Sequence, residues 1–324
     1  MFDVVGVILL VLLAAGFGWL ATRAWRSQYG VVRWGAGIAA GLLALASTAG
    51  ILLASVGFYR LTVPPHRYPV PAVTVARTPD QISRGARFAP FCALCHSPTG
   101  TGPLIGRDFG EGGPPFGALY APNITPGGEI KDWSDGEVIR AIREGVHQSG
   151  RPLVIMPSEV FHHLSDTDVQ AIVAYLRAQA AVLPATPPTR LNALAAIFVG
   201  SGVFRTSAQA PITQPVVAPV QGPSAEYGRY LVSILGCAAC HGENLAGRVP
   251  GGLGPPAGPN LTLAIPRWTR EQFVHTLRTG VNPYGHTLKQ EMPWQVISAF
   301  AGDEDLQAIY AYLHELPPLQ GPVK

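Results

Sequence analysis

Two unbroken apolar runs open the chain. Val4 to Thr22 holds 19 residues without a charge, about 28 Å as a helix and close to the ~30 Å hydrocarbon thickness of a bilayer. Gly35 to Phe58 is longer and equally free of charge. Between them, Arg23 to Trp34 carries three arginines and two tryptophans. Arginines in a short loop mark the cytoplasmic side, and tryptophan favours the membrane interface. The pattern predicts two transmembrane helices, with both termini and everything after Tyr59 facing out of the cytoplasm. A cleaved signal peptide is the alternative for the first run, but it has no basic start and arginines follow it directly.

The second run is rich in small residues, among them Gly37, Gly41, Ala44, Ser47, Gly50, Ala54 and Gly57. Small faces let helices approach closely in lipid. This one is expected to meet either the first helix or another membrane subunit. No His, acidic or basic side chain lies within either run, so a self-contained quinone or proton site is not expected there.

Beyond residue 64 the pattern breaks into short amphipathic stretches separated by loops rich in Gly and Pro, and these stretches occur twice. Arg84-Gly85 and Tyr227-Gly228-Arg229 lie in opening helices. Pro122-Asn123-Ile124-Thr125 pairs with Pro259-Asn260-Leu261-Thr262. Ser134 with Glu137, and Thr269 with Gln272, have the spacing of a helix-starting capping box. Gly145 and Gly280 suit helix stops. Apolar positions Val169, Ile172, Val173, Leu176 and Leu306, Ile309, Tyr310, Leu313 give each closing helix one buried stripe.

The predicted organisation is a two-helix anchor (1–63), a linker (64–77), a first domain (78–183), a Pro-rich linker with a short apolar segment (184–223) and a second domain (224–324). The segment Leu191 to Gly200 is too short to span a bilayer. It is expected to pack as a helix between the two domains, with contact to the membrane surface or a partner subunit as the alternative.

Composition agrees with a membrane segment: 48% of residues are hydrophobic and 13% charged, against roughly 25% charged in ordinary soluble domains. Residues 1–64 contain four Arg and one Asp, which accounts for the whole net charge of +3. The remainder is balanced, and the lysines are confined to Lys131, Lys289 and Lys324. The totals contain no strongly basic face of the kind nucleic acid binding needs, and no nucleic-acid partner is expected.

The chemistry sits at Cys92-Ala93-Leu94-Cys95-His96 and Cys237-Ala238-Ala239-Cys240-His241. Two thiols on one helical turn, followed at once by imidazole, form the attachment signature of a c-type haem. The cysteines would bond to the porphyrin, and His96 and His241 would supply the fifth iron ligand. A thioredoxin-type pair or half of a zinc site is the alternative for a single C-x-x-C. These four are the chain's only cysteines, so none is left for a disulfide.

Met156 and Met292, the two methionines besides Met1, fall at matching places in the repeat, each before a Pro. They are the expected sixth ligands, with Pro157 and Pro293 stiffening the loop. His147, His162, His163, His275 and His286 are the competitors for that position. Arg151 is a candidate partner of a haem propionate. Two covalently attached haem c groups are expected, with both irons six-coordinate, so the role implied is one-electron relay without bond-making chemistry.

These motifs resemble class I cytochrome c domains in tandem, over residues 78–183 and 224–317. They are especially similar to the cytochrome c subunits of membrane-bound bacterial alcohol, aldehyde and gluconate dehydrogenases. That family typically carries three haem motifs and a carboxy-terminal anchor, whereas this chain has two motifs and amino-terminal apolar runs. The apolar runs and the resemblance together imply an all-α fold of two N-terminal transmembrane helices followed by two tandem class I cytochrome c domains, set in a bacterial cytoplasmic membrane with both termini and the haem domains on the periplasmic side. It implies a non-enzymatic electron-transfer subunit that joins a dehydrogenase to the respiratory chain, with lipid and other membrane-complex subunits as partners. An oxidase, quinol-oxidising or photosynthetic complex is the alternative host, and a di-haem peroxidase the remote one.

Overall fold

The computed structural model describes residues 5–110, 115–249, 251 and 256–322. Val4, Lys324 and parts of the loops that follow each C-x-x-C-H motif lie outside the described residues.

The first apolar run forms α1, Val5–Trp25, and the second forms α2, Gly37–Thr62. A π-helical turn, Val32–Ala36, leads into α2, so helix continues through much of the predicted loop. Trp25 and Trp34 meet edge to face at 5.0 Å. With the π-turn included, the two spans are 21 and 31 residues long and apolar enough to cross a membrane. The small-residue face of α2 is filled in part from within the chain, while Gly41 meets nothing within 4 Å. Gly37 lies against the Trp25 ring, Gly50 against Leu10 and Ile197, and Gly57 against the Ala196 backbone.

The first domain comprises α3 (Pro79–Ala86), α4 (Ala89–His96), α5 (Asp135–Glu144), α6 (Ser158–Phe161) and α7 (Asp166–Ala178). After it comes α8, Ala193–Gly200. The second domain repeats the order with α9 (Ala225–Ile234), α10 (Cys237–His241), α11 (Leu261–Ala264), α12 (Arg270–Thr279), α13 (Trp294–Phe300) and α14 (Asp303–Glu315). The protein is predominantly helical. Two small antiparallel pairs add to the helices: β1 (Arg107–Asp108) with β3 (Tyr120–Ala121), and β2 (Gly117–Ala118) with β4 (Arg190–Leu191).

The helix signals act as their chemistry dictates. Ser134 and Thr269 each close a capping box, with Glu137 and Gln272 respectively. Gly145 and Gly280 end those helices in the left-handed region, at φ 67° and 74°. In each domain the opening helix crosses the closing one at a glycine. A Cβ on Gly85 would stand 1.9 Å from the Ala171 carbonyl oxygen, and one on Gly228 would stand 1.9 Å from that of Ala308.

The domains share one apolar cluster that runs from Phe88 and Val173 in the first to Leu231 and Ile309 in the second. Phe300 of α13 packs edge-on against Phe88 and Phe91, at ring separations of 5.0 and 5.5 Å. The Pro-rich linker is strapped onto the first domain. The Ser207 N–H donates to the Leu153 carbonyl, Gln209 N–H to that of Glu144, and Ile212 N–H to the Glu144 carboxylate.

The apolar segment after β4 does not pack between the haem domains as expected. Instead α8 lies against α2, with Ala196 at Gly57 and Gly200 at Leu53. One apolar cluster joins Ala195, Ala196 and Val199 of α8 to Ala54 and Leu61 of α2. The physical reason is close backbone approach. Both Gly57 and Gly200 lack the Cβ that would collide with the opposite carbonyl.

Candidate haem sites

Cys92 and Cys95 stand one turn apart on α4, with His96 as its last residue. Cys237, Cys240 and His241 sit likewise on α10. All four thiols are unbridged. Burial pushes the Cys92 and Cys237 thiols up to about 12, and raises Cys95 and Cys240 as well. Burial outweighs every other influence on all four, the opposite of the depressed thiol of a redox pair. Among the described residues no group of three or more His, Cys, Asp or Glu side chains could hold a metal ion, which leaves the half-zinc reading without partners.

His96 and His241 are 8% and 6% exposed. His96 Nδ1 lies 2.7 Å from the Pro122 carbonyl oxygen, and His241 Nδ1 lies 2.8 Å from that of Pro259. A carbonyl only accepts, so each Nδ1 carries the proton and each Nε2 presents its lone pair. Burial lowers both imidazole pKa values and keeps the rings neutral, as a ligand must be.

The prolines that orient these rings are held by their own motif. Asn123 Nδ2 donates to the Val182 and Pro184 carbonyls, and Asn260 Nδ2 to that of Leu319. Thr125 and Thr262 donate to the respective asparagine Oδ1, and their hydroxyls accept the N–H groups of Val182 and Leu319. The Pro-Asn-x-Thr loops thus bind each histidine's carbonyl partner to the chain that follows the closing helix.

Met156 and Met292 pack against the same apolar cluster as Cys92 and Cys237. Each Met-Pro pair makes an inverse γ-turn: Pro157 has φ −78°, ψ 55° and Pro293 φ −81°, ψ 50°. The Met156 carbonyl accepts from Ser158 N–H at 2.7 Å, and the Met292 carbonyl from Trp294 N–H at 2.8 Å. The preceding hairpins also correspond, bridging Val146 to Pro152 and Val281 to Thr287. The first loop then reaches its methionine with one residue fewer. Ile155 absorbs the difference at φ 59°.

Two of the competing histidines have other attachments. His147 Nε2 meets Glu129 at 2.9 Å, and His162 Nδ1 meets the Arg143 carbonyl at 3.1 Å. His286 is exposed and occupies the hairpin place that Arg151 holds in the first domain. Arg151 interacts electrostatically with Glu129.

Sequence reasoning missed one matched pair. Arg107 Nη1 donates to the Leu94 carbonyl at 3.1 Å, and Arg248 Nη1 to that of Ala239 at 2.6 Å. Both arginines clamp the residue just before the second cysteine, and each draws that thiol's pKa downward against burial. The signal was present as Gly106-Arg107 and Gly247-Arg248, at unequal distances from the two motifs.

The residues fit a covalently held haem in each domain: paired thiols, a neutral buried imidazole with one free nitrogen, and a thioether on a constrained loop. Comparison with known proteins agrees. Residues 82–180 match the model of the family "Cytochrome c", and residues 223–313 that of "Cytochrome C oxidase, cbb3-type, subunit III". A nicotinate dehydrogenase subunit of Pseudomonas putida is 29% identical over 308 residues, 83% of this chain and 24% of that protein. The fructose dehydrogenase cytochrome subunit of Gluconobacter japonicus is 27% identical over 262 residues, 73% of this chain and 52% of its own length. The cytochrome c subunit of the quinone alcohol dehydrogenase of Komagataeibacter europaeus is 25% identical over 283 residues, covering 76% and 58%. The chain therefore spans between about a quarter and three-fifths of the length of these relatives. The chain thus carries a cytochrome c domain at residues 82–180 and a cbb3-type cytochrome domain at residues 223–313, of a class that carries covalently bound haem c.

Proposed function

We propose that the chain is a membrane-anchored di-haem cytochrome c that relays single electrons within a larger dehydrogenase complex. The observation that carries this reading is the duplication of one complete ligand set. Cys92, Cys95, His96 and Met156 recur as Cys237, Cys240, His241 and Met292 around one shared apolar cluster. Bound through thioethers, haem c supplies reversible one-electron chemistry at iron. The protein's part is to hold it. Pro122 and Pro259 fix the ring tautomers, and the Met-Pro turns fix the thioether loops. Held by His96 with Met156, and by His241 with Met292, each iron would have no open position for a substrate, which favours electron transfer over catalysis.

Both α1 and α2 cross the bilayer in this reading, with the turn at residues 26–29 in the cytoplasm and the haem domains in the periplasm. The named relatives belong to dehydrogenases, which favours a dehydrogenase as the electron donor. The cbb3-type match over 223–313 favours a second host, an oxidase-like assembly.

Extraction from native membranes in mild detergent, with mass spectrometry and haem staining of the particle, tests the proposal. A flavin or quinoprotein dehydrogenase subunit in the same particle supports it. Oxidase subunits transfer the chain to the second host, and a haem-stained band migrating alone contradicts the subunit role.

A further inference from the structure

The segment between Arg190 and Arg205 has an arrangement that a soluble linker does not need. Residues 193–204 contain no charge. As α8 advances, it moves down α2 from the Gly57 level, at Ala196, to the Leu53 level, at Gly200. Leu53 lies five residues before Phe58, where the apolar run of α2 ends, about 7.5 Å along the helix axis and about a quarter of a ~30 Å hydrocarbon layer. At the other end Ala193 touches Gly6, near the start of α1.

A helix ending at that depth leaves carbonyls without water. Here the Arg60 guanidinium donates to the Val199 and Gly200 carbonyls, at 3.0 and 3.2 Å. A simple anchor would direct Arg60 outward to the headgroups; this one turns along α2 to meet the end of α8. The return is also satisfied internally. The N–H groups of Ser201, Gly202 and Phe204 donate to the carbonyls of Ile197, Val199 and Phe198. Phe204 then closes a three-ring cluster with Phe198 and with Phe116 of the first domain, all separations lying between 5.3 and 5.6 Å.

We propose that residues 193–204 form a re-entrant helix in the periplasmic leaflet, with lipid acyl chains as the occupant of its outer face. Leu194 and Val203 present that face. The inference rests on the anchor reading above and adds that the first haem domain is seated on the membrane at a fixed height through β2–β4 and the Phe116 cluster. Arg190 and Arg205 then mark where the chain enters and leaves the headgroup layer.

Three variants of the full chain, each adding one cysteine to the four haem-attachment cysteines and expressed in cells with haem incorporation verified by absorption, provide the test. Val203→Cys, Leu45→Cys and Val217→Cys are treated with a membrane-impermeant maleimide. All three side chains are exposed in the structure, at 56%, 68% and 83%, so lipid alone distinguishes them. The expected result is rapid labelling at 217, and labelling at 45 and 203 slower by at least tenfold until detergent is added. Labelling at 203 as fast as at 217, with 45 still protected, overturns the re-entrant helix and leaves the anchor standing. Rapid labelling at 45 as well overturns the anchor, and the inference with it.

Discussion

Arg87 and Tyr230 occupy the same place in the two repeats, and each reaches the buried aspartate of the opposite domain. Arg87 Nη2 lies 2.6 Å from Asp305 Oδ2, while the Tyr230 hydroxyl donates to Asp168, which also pairs with Arg84 at 2.7 Å. Burial and Asp168 raise the Tyr230 phenol well above its usual range and keep it a donor. The exchange is two-fold in form although the residues differ, the pattern of a self-complementary interface.

The two haem domains are therefore expected to unfold in one cooperative transition. In Arg87→Ala, Asp305, whose side chain is 4% exposed, loses its ion-pair partner, while Arg87 itself was 31% exposed. A loss of about 1–3 kcal/mol is expected, below the ~3–5 kcal/mol of a fully buried pair. Calorimetry of Arg87→Ala/Tyr230→Phe should resolve two transitions; a single one at the original midpoint would contradict the coupling.

Gly85→Ala and Gly228→Ala should each cost more than about 2 kcal/mol, because the new methyl meets a carbonyl oxygen on the facing helix and helices cannot part without breaking the core. Gly16→Ala, which meets nothing within 4 Å, should be neutral or slightly stabilising. Thermal midpoints of the three variants check the difference.

Ile155→Gly should raise stability by roughly 0.5–1 kcal/mol, since a β-branched residue at φ 59° bears strain that glycine escapes. Half of its surface is exposed, so little packing is lost. Denaturant midpoints measure it, and a loss would show that Ile155 is held there by contacts worth more than the strain.

The Glu129 carboxylate is held below its ordinary range, first by the hydrogen bond from His147 and then by nearby charge including Arg151. The Ser149 N–H donates to His147 Nδ1, so Nε2 carries the proton that Glu129 accepts. A depressed carboxylate stabilises the fold above its unfolded pKa of about 4.5 and loses that contribution as pH falls through the lower folded value. Glu129→Gln should therefore cost a few tenths to about 1 kcal/mol at pH 7, Glu129 being 35% exposed, with the gap closing below pH 4.5. Urea midpoints across that range test it.

Local chemistry made much of the site legible in the sequence. The C-x-x-C-H motifs, the capping residues Ser134 and Thr269 and the paired Met-Pro steps depend on neighbours a few positions away. The two long N-terminal helices were legible because an unbroken, charge-free run of that length leaves little else for the chain to form. The seat of α8 was not: an apolar stretch states that it is buried but not against what, and Gly57 and Gly200 reveal their purpose only when juxtaposed. The Arg87–Tyr230 exchange was hidden for another reason, since two chemically different residues do the same task and a search for identical repeats passes over them.

Potentiometric titration of the intact protein, followed through haem absorption, tests the two matched ligand sets most directly. Met ligation raises a haem's potential. Two one-electron waves are predicted in the wild type, with Met156→Ala lowering the potential of one haem and Met292→Ala that of the other. If both substitutions leave both waves and the spectra unchanged, the methionines are not ligands and the duplicated site is wrongly assigned.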